Sequence, residues 1–156
     1  MAGRGGERRT ARHAALDLLG RREHSLAEIR TKLAAREFDA GEIDAAITKL
    51  AGEGLLSDER FVEAFIAAHV CRGQGPQRIR GELARKGVAA ELIARALEAG
   101  AHDWRVLARA ARVKRFGAAP PADLRERARQ HRFLEFRGFT VDHIRAALGA
   151  DEDDDR

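Results

Sequence analysis

The sequence predicts an all-α fold, an elongated array of three tandem three-helix repeats. Three observations predict it. Apolar residues recur at helical spacing along almost the whole chain. The interruptions are Gly and Pro, with no convincing alternating run that reads as a strand. Three segments also superimpose without a gap, their anchoring residues Leu33, Leu83 and Leu134 lying 50 and 51 apart.

The elements follow in order. Ala11, Ala14, Ala15, Leu16, Leu18 and Leu19 outline a first helix over roughly 11–22. Ser25 and Glu28 form an S-x-x-E capping box that opens a helix with Ile29 and Leu33 turned inward. Asp39 and Glu42 repeat the device ahead of Ile43, Ile47 and Leu50, and Gly52 and Gly54 stop that helix. Ser57 or Asp58 caps the next one, whose expected inner residues are Phe61, Phe65 and Ala68. Gly73 and Gly75 end it. Pro76 then falls in a first helical turn, where proline is tolerated. Ile79 and Leu83 mark the next stripe, and Gly87 suits a left-handed position after it. Helices are expected at about 89–98 and 102–116. Gly117 and Pro120-Pro121 make the clearest break, and helices at about 122–137 and 141–148 finish the chain.

Counted from each anchoring Leu, apolar residues stand at +5 (Phe38, Val88, Phe139), +10 (Ile43, Ile93, Ile144) and +14 (Ile47, Leu97, Leu148). A basic residue stands at +3 (Arg36, Lys86, Arg137). At +4 come Glu37, Gly87 and Gly138, so the first copy lacks the glycine. A further helix precedes each pair, which makes each repeat a three-helix unit able to close a small core and stack on its neighbours. The expected divisions are a disordered tail over 1–10, repeats over 11–55, 56–100 and 101–149, and an acidic disordered tail over 150–156.

Lys+Arg 29 against Asp+Glu 25 gives +4. The tail from Asp151 holds five acids and one Arg, so residues 1–150 carry +8. Such a body suits an acidic partner. The basic residues are 25 Arg and 4 Lys, a bias that favours forked recognition of phosphate or carboxylate but that a GC-rich genome also produces. The single cysteine, Cys71, excludes an internal disulfide and a multi-thiolate zinc site, and the expected compartment is the cytoplasm. No apolar run approaches a membrane span, and the N-terminus lacks the apolar segment of a signal peptide.

Enzyme signatures are missing: there is no Walker loop, no H-E-x-x-H and no G-x-S-x-G. The chain reads as a non-enzyme without cofactor or metal. His69 and Cys71 point about 200° apart on a helix, which suggests a buried Cys and a surface His. Asp58-Glu59 is explained by the dipole at a helix N-terminus.

The basic residues carry more. Arg105, Arg109, Arg112 and Arg115 follow i, i+4, i+7, i+10 on one helix, with Trp104, Leu107, Ala108 and Ala111 as its core stripe. Residues 104–145 hold 11 basic and 4 acidic side chains, a net of +7. A purely solvated face normally mixes signs. Arg129 and Arg132 extend the bias into the next helix, while Arg78 and Arg85 are weaker candidates, partly balanced by Glu82.

Four stretches resemble the RecX family, bacterial regulators of the RecA recombinase. They are Leu18–Leu33, Leu55–Phe61 with its Asp58-Glu-Arg-Phe61, Gly75–Val88, and Arg132–Phe139 with Ile144. Together they cover about residues 14–148, and their order and period are more specific than any one of them. The resemblance implies a three-repeat helical protein lying in the groove of the RecA–DNA filament, with single-stranded DNA as part of that partner. It implies negative modulation: limited filament extension, strand exchange, ATP hydrolysis and SOS coprotease activity. The repeat pattern and the absence of disulfides lead us to expect a monomer, and weak direct DNA binding is also expected. Gln74 and His69 depart from the family pattern, and the acidic tail lies outside it. The alternative from another class is a helix-turn-helix-like transcriptional regulator. Against it, the expected helices 89–98 and 141–148 are poor in Arg, Asn and Gln.

Overall fold

The computed structural model describes residues 8–149; of the expected tails over 1–10 and 150–156, residues 1–7 and 150–156 lie outside the described residues. Among the described residues there are nine helices and no strand. They are α1 (Ala11–Leu19), α2 (Leu26–Ala35), α3 (Ala40–Gly52), α4 (Asp58–Cys71), α5 (Pro76–Arg85), α6 (Ala90–Ala99), α7 (Trp104–Phe116), α8 (Leu124–Phe136) and α9 (Val141–Leu148). The chain divides into two compact units, one running to Phe61 and including Lys86–Val88, the other holding Val62–Arg85 and the chain from Ala89 onward.

The repeat positions are the buried ones. Leu33, Leu83 and Leu134 are completely buried, and Ile43, Ile93 and Ile144 nearly so. At +5, Val88 and Phe139 are buried and Phe38 is half-buried. In the first unit Ala11, Ala14, Ala15 and Leu18 of α1 close the core over α2 and α3. In the second, Ala108 of α7 packs with Leu134, Phe139, Ile144, Ala147 and Leu148.

The helix starts are capped largely as their sequences dictate. Ser25 and Glu28 form the expected box, and Thr10, Asp103 and Asp123 cap α1, α7 and α8. The second expected box does not close. Asp39 accepts from the Gly41 N–H, while Glu42 reaches to the Ala11 N–H at 3.0 Å, an otherwise orphan donor of α1. Asp58 does the same for α2, accepting from the Leu26 N–H at 2.8 Å. Each carboxylate thus serves the positive end of a neighbouring helix as well as its own.

Helix α4 is rotated from its expected register. Phe61, Val62, Ile66 and His69 are buried, whereas Phe65 is half-buried and Ala68 exposed. The expectation for His69 and Cys71 is inverted, since His69 is buried and Cys71 exposed. Residue 69 stands three after Ile66 and seven after Val62, on their face, and Cys71 falls opposite. The His69 Nδ1 lies 2.9 Å from the Phe65 carbonyl and its Nε2 2.9 Å from a Glu82 oxygen, so an acceptor faces each ring nitrogen.

One tight contact occurs in both units. In the first, the buried Ser25 hydroxyl donates to the Lys86 carbonyl at 2.8 Å. A Cβ on Gly87 would stand 2.4 Å from the Ala27 Cβ. In the second, the Gly75 N–H donates to the Arg137 carbonyl at 2.7 Å and the Gln77 N–H to the Gly138 carbonyl at 2.9 Å. A Cβ on Gly138 would stand 2.6 Å from the Arg78 backbone nitrogen. Ser25 and Gly75 are equivalent, each eight before the repeat Leu, and Lys86 and Arg137 each stand three after it. In the first repeat Glu37 occupies the glycine position and still adopts φ +65°.

Glu28 reinforces the first contact. Burial alone would raise its pKa, but donation from Arg22, Lys86 and the Ser25 N–H outweighs this and holds it at about 2. A carboxyl depressed in the folded state stabilises above its unfolded pKa and loses that contribution as pH falls. Glu28→Gln should therefore cost about 2–3 kcal/mol at neutral pH, with the gap to the parent closing between about pH 4.5 and 2 in denaturation curves.

A second prediction separates backbone conformation from close packing. Gly54 and Gly138 both have positive φ, +72° and +95°, but only Gly138 faces atoms within 4 Å. Gly54→Ala should cost about 1–2 kcal/mol, and Gly138→Ala clearly more. Glu37→Gly should stabilise by about 1 kcal/mol, because it relieves the left-handed residue without meeting a neighbour that needs the space. Chemical denaturation of the three variants checks the order.

Candidate partner-binding surface

All eight candidate arginines lie in the second unit. Helix α7 begins at the Asp103 cap and ends where Gly117 takes φ +87°. Its core stripe is as expected: Ala108 is buried, with Trp104, Leu107 and Ala111 partly so. Arg105, Arg109 and Arg115 are exposed. Arg109 donates to the Ala146 carbonyl of α9 at 3.2 Å.

Arg112 departs from the expected row. It is 6% exposed, and its guanidinium points inward to Gln130 Oε1 at 3.2 Å and to the carbonyls of Ala119 and Ala118 at 3.1 and 3.4 Å. Spacing does not set it apart, since residue 112 falls about 20° around the helix from exposed Arg105. The reason is tertiary. Gln130 supplies the acceptor, and it stands where the other repeats have Ile29 and Ile79. Gln130 in turn donates to Glu126 Oε1 at 3.2 Å. Arg112 therefore pins the 118–119 turn onto α8. Its Nε is a buried donor left without a partner among the described residues, so the network is incompletely satisfied.

On α8, Arg129 and Arg132 are exposed. Arg129 pairs with Glu126 at 3.3 Å and lies over the Phe116 ring, 5.4 Å from its centroid. Arg115 lies over the same ring at 5.2 Å, so α7 and α8 bring these two cations onto one aromatic. Arg132 makes no hydrogen bond or ion pair among the described residues. Arg78 of α5 pairs with Glu82 at 3.0 Å and lies 5.5 Å from the centroid of Phe136. Arg85 is exposed, and its Nε turns back to the Gly81 carbonyl of its own helix. It joins neither aromatic cluster.

The aromatics among these cations escape a reading based on charge. Phe116 and Phe133 pack edge to face at 5.2 Å, with Arg137 over Phe133 at 5.0 Å. Phe136 is 75% exposed. A signal exists in the sequence, because Phe136 stands four after Arg132 and seven after Arg129, on their stripe. Arg127 also escapes such a reading, as a capping residue: it donates to the carbonyls of Leu148 and Gly149, the C-terminal end of α9. Among the described residues no His, Cys, Asp and Glu group could hold a metal ion, and no helix is long and apolar enough to cross a membrane.

Three family models match this chain in succession: the first three-helix domain of RecX at residues 11–50, the second at 57–97 and the third at 106–148. The chain belongs to the RecX family. The regulatory protein RecX of Halorhodospira halophila is 50% identical over the whole chain and 98% of its own length. That of Chromohalobacter salexigens is 45% identical over 89% of this chain and 91% of its own. The fold also matches the crystal structure of RecX from Lactobacillus salivarius, with a TM-score of 0.73 at 20% identity, covering 88% of this chain and 92% of that one.

The inward turn of Arg112 yields a prediction. Arg112→Met should destabilise by about 1–3 kcal/mol, because Gln130 and two carbonyls lose their donor. Arg105→Gln with Arg109→Gln should stay within about 0.5 kcal/mol. Urea denaturation of the two variants checks the order.

Proposed function

We propose that this protein is a negative modulator of the RecA recombinase that binds the groove of the RecA–DNA filament. Membership in the RecX family carries this reading, and the basic surface of α7 and α8 supports it. Arg105, Arg109, Arg115, Arg129 and Arg132 form the contact surface, flanked by Arg78 and Arg85. Arg112 holds that surface in place from within. Bound in the groove, the protein limits filament extension, strand exchange, ATP hydrolysis and SOS coprotease activity. It acts as a cytoplasmic monomer without a cofactor, and chemistry at an active site has no part in the effect.

The charge distribution favours this over a helix-turn-helix reader of duplex DNA. Base reading needs polar side chains concentrated on one recognition helix. The exposed charged side chains of α6 are Glu91, Arg95 and Glu98, and those of α9 are Asp142 and Arg145. The excess sits instead on α7 and α8, where it can meet an extended polyanion.

The test is a triple variant, Arg105→Gln, Arg109→Gln and Arg115→Gln, assayed for inhibition of RecA ATP hydrolysis on single-stranded DNA. The variant should fold, inhibit at least tenfold less well, and show a weaker salt dependence, by about 0.7–0.9 in log–log slope for each phosphate no longer neutralised. Unchanged inhibition at every salt concentration would show that this surface is not the contact.

A further inference from the structure

We infer that Phe136 is a stacking seat for an unpaired base of a strand lying along the α8 face. The inference rests on the reading above and extends it from the filament to the strand inside it.

The observation is an exposed aromatic at the end of a cationic row. Arg125, Arg129, Arg132 and Phe136 follow i, i+4, i+7, i+11 on α8, and all four are exposed. They share one stripe, with axial steps of about 6, 4.5 and 6 Å. Acidic side chains do not erase the row. Glu126 engages Arg129 at 3.3 Å, and Glu135 lies 3.9 Å from His131. Arg125 and Arg132 have no carboxylate partner among the described residues.

Phe136 is not an ordinary surface phenylalanine. A 75% exposed ring has left the core, where Leu134 of the same turn is fully buried. The Arg78 guanidinium lies over the ring, 5.5 Å from its centroid, and Arg78 is itself held by Glu82. The ring is therefore steadied by a cation from a second helix while most of its area stays open. Phosphates on the arginines and a base on the ring together match single-stranded nucleic acid, which pairs a charged backbone with free π-faces.

Other polyanions fit less well. An acidic peptide satisfies the arginines but offers nothing flat to the ring. A duplex keeps its bases stacked on one another. An anionic membrane would want contiguous apolar area, yet the other large exposed apolar residue of α8, Leu124, is about 120° around the helix from Phe136.

The experiment uses the full chain without RecA, so that its outcome is read apart from the inhibition assay above. Fluorescence anisotropy would follow binding to labelled oligothymidine, to an abasic strand of the same length, and to anionic vesicles. Phe136→Ala should weaken oligothymidine binding about 5- to 100-fold, leave abasic binding unchanged, and preserve the salt slope. Phe136→Trp should restore affinity. Arg132→Gln should lower affinity for both strands and reduce the slope by about 0.7. Helicity measured alongside confirms that each variant is folded. The inference fails if Phe136→Ala binds oligothymidine as the parent does, if it loses abasic binding equally, or if vesicle binding alone responds.

Discussion

The structure depends on how closely a turn can approach a helix N-terminus. The turn after Leu83 sits against the start of α2, and the turn after Leu134 against the start of α5, with hydrogen bonds of 2.7–2.9 Å at both sites. That approach sets several residue types at once. The helix start must be small and able to donate, as Ser25 does by its hydroxyl and Gly75 by its N–H. The turn must lack a side chain, because a Cβ there would lie only 2.4–2.6 Å from atoms of Ala27 or Arg78. Left-handed φ at Gly87 and Gly138 aims the preceding carbonyls at those donors. Glu37 holds the equivalent position of the first repeat and is exposed. The steric demand lapses there and only the modest backbone cost remains.

A similar constraint governs the charges. A count of basic residues treats every arginine as surface potential, but several are committed to the fold. Arg22 and Lys86 hold Glu28. Arg127 satisfies carbonyls at the end of α9, which a cation there also favours electrostatically. Arg112 holds a turn. What remains exposed is narrower than the net of +7 suggests, and it is concentrated on the outer faces of α7 and α8.

Much of the fold is legible in the sequence because the repeat positions are core positions. The Leu, +5, +10 and +14 residues are constrained by burial, and burial leaves an apolar signature in every copy. The differences fall where a polar or small residue has a choice of partner. Asp39 and Glu42 satisfy the capping pattern by spacing, yet Glu42 finds a better donor on α1, 31 residues away. Polarity assigns His69 to the surface, but Glu82 and the Phe65 carbonyl give its ring polar neighbours in the interior. Helical spacing alone puts Arg112 in the exposed row, and only the tertiary pairing with Gln130 reveals its direction.

These departures are informative because the repeats supply their own controls. At four before the repeat Leu, two copies bury Ile and the third buries Gln130 with Arg112. Two residues after it, at an exposed position, the copies carry Ala35, Arg85 and Phe136. The scaffold residues between them are unchanged in character, so folding does not demand these substitutions. A buried Arg–Gln pair is costlier than an Ile, and an open Phe is costlier than an Ala. Both costs fall in the third repeat, beside the most basic surface. The first fixes the turn joining the two Arg-rich helices, and the second places an aromatic at the end of their exposed row. A helical array kept only for stability has no use for either, whereas a surface that must hold an extended, charged partner in register uses both.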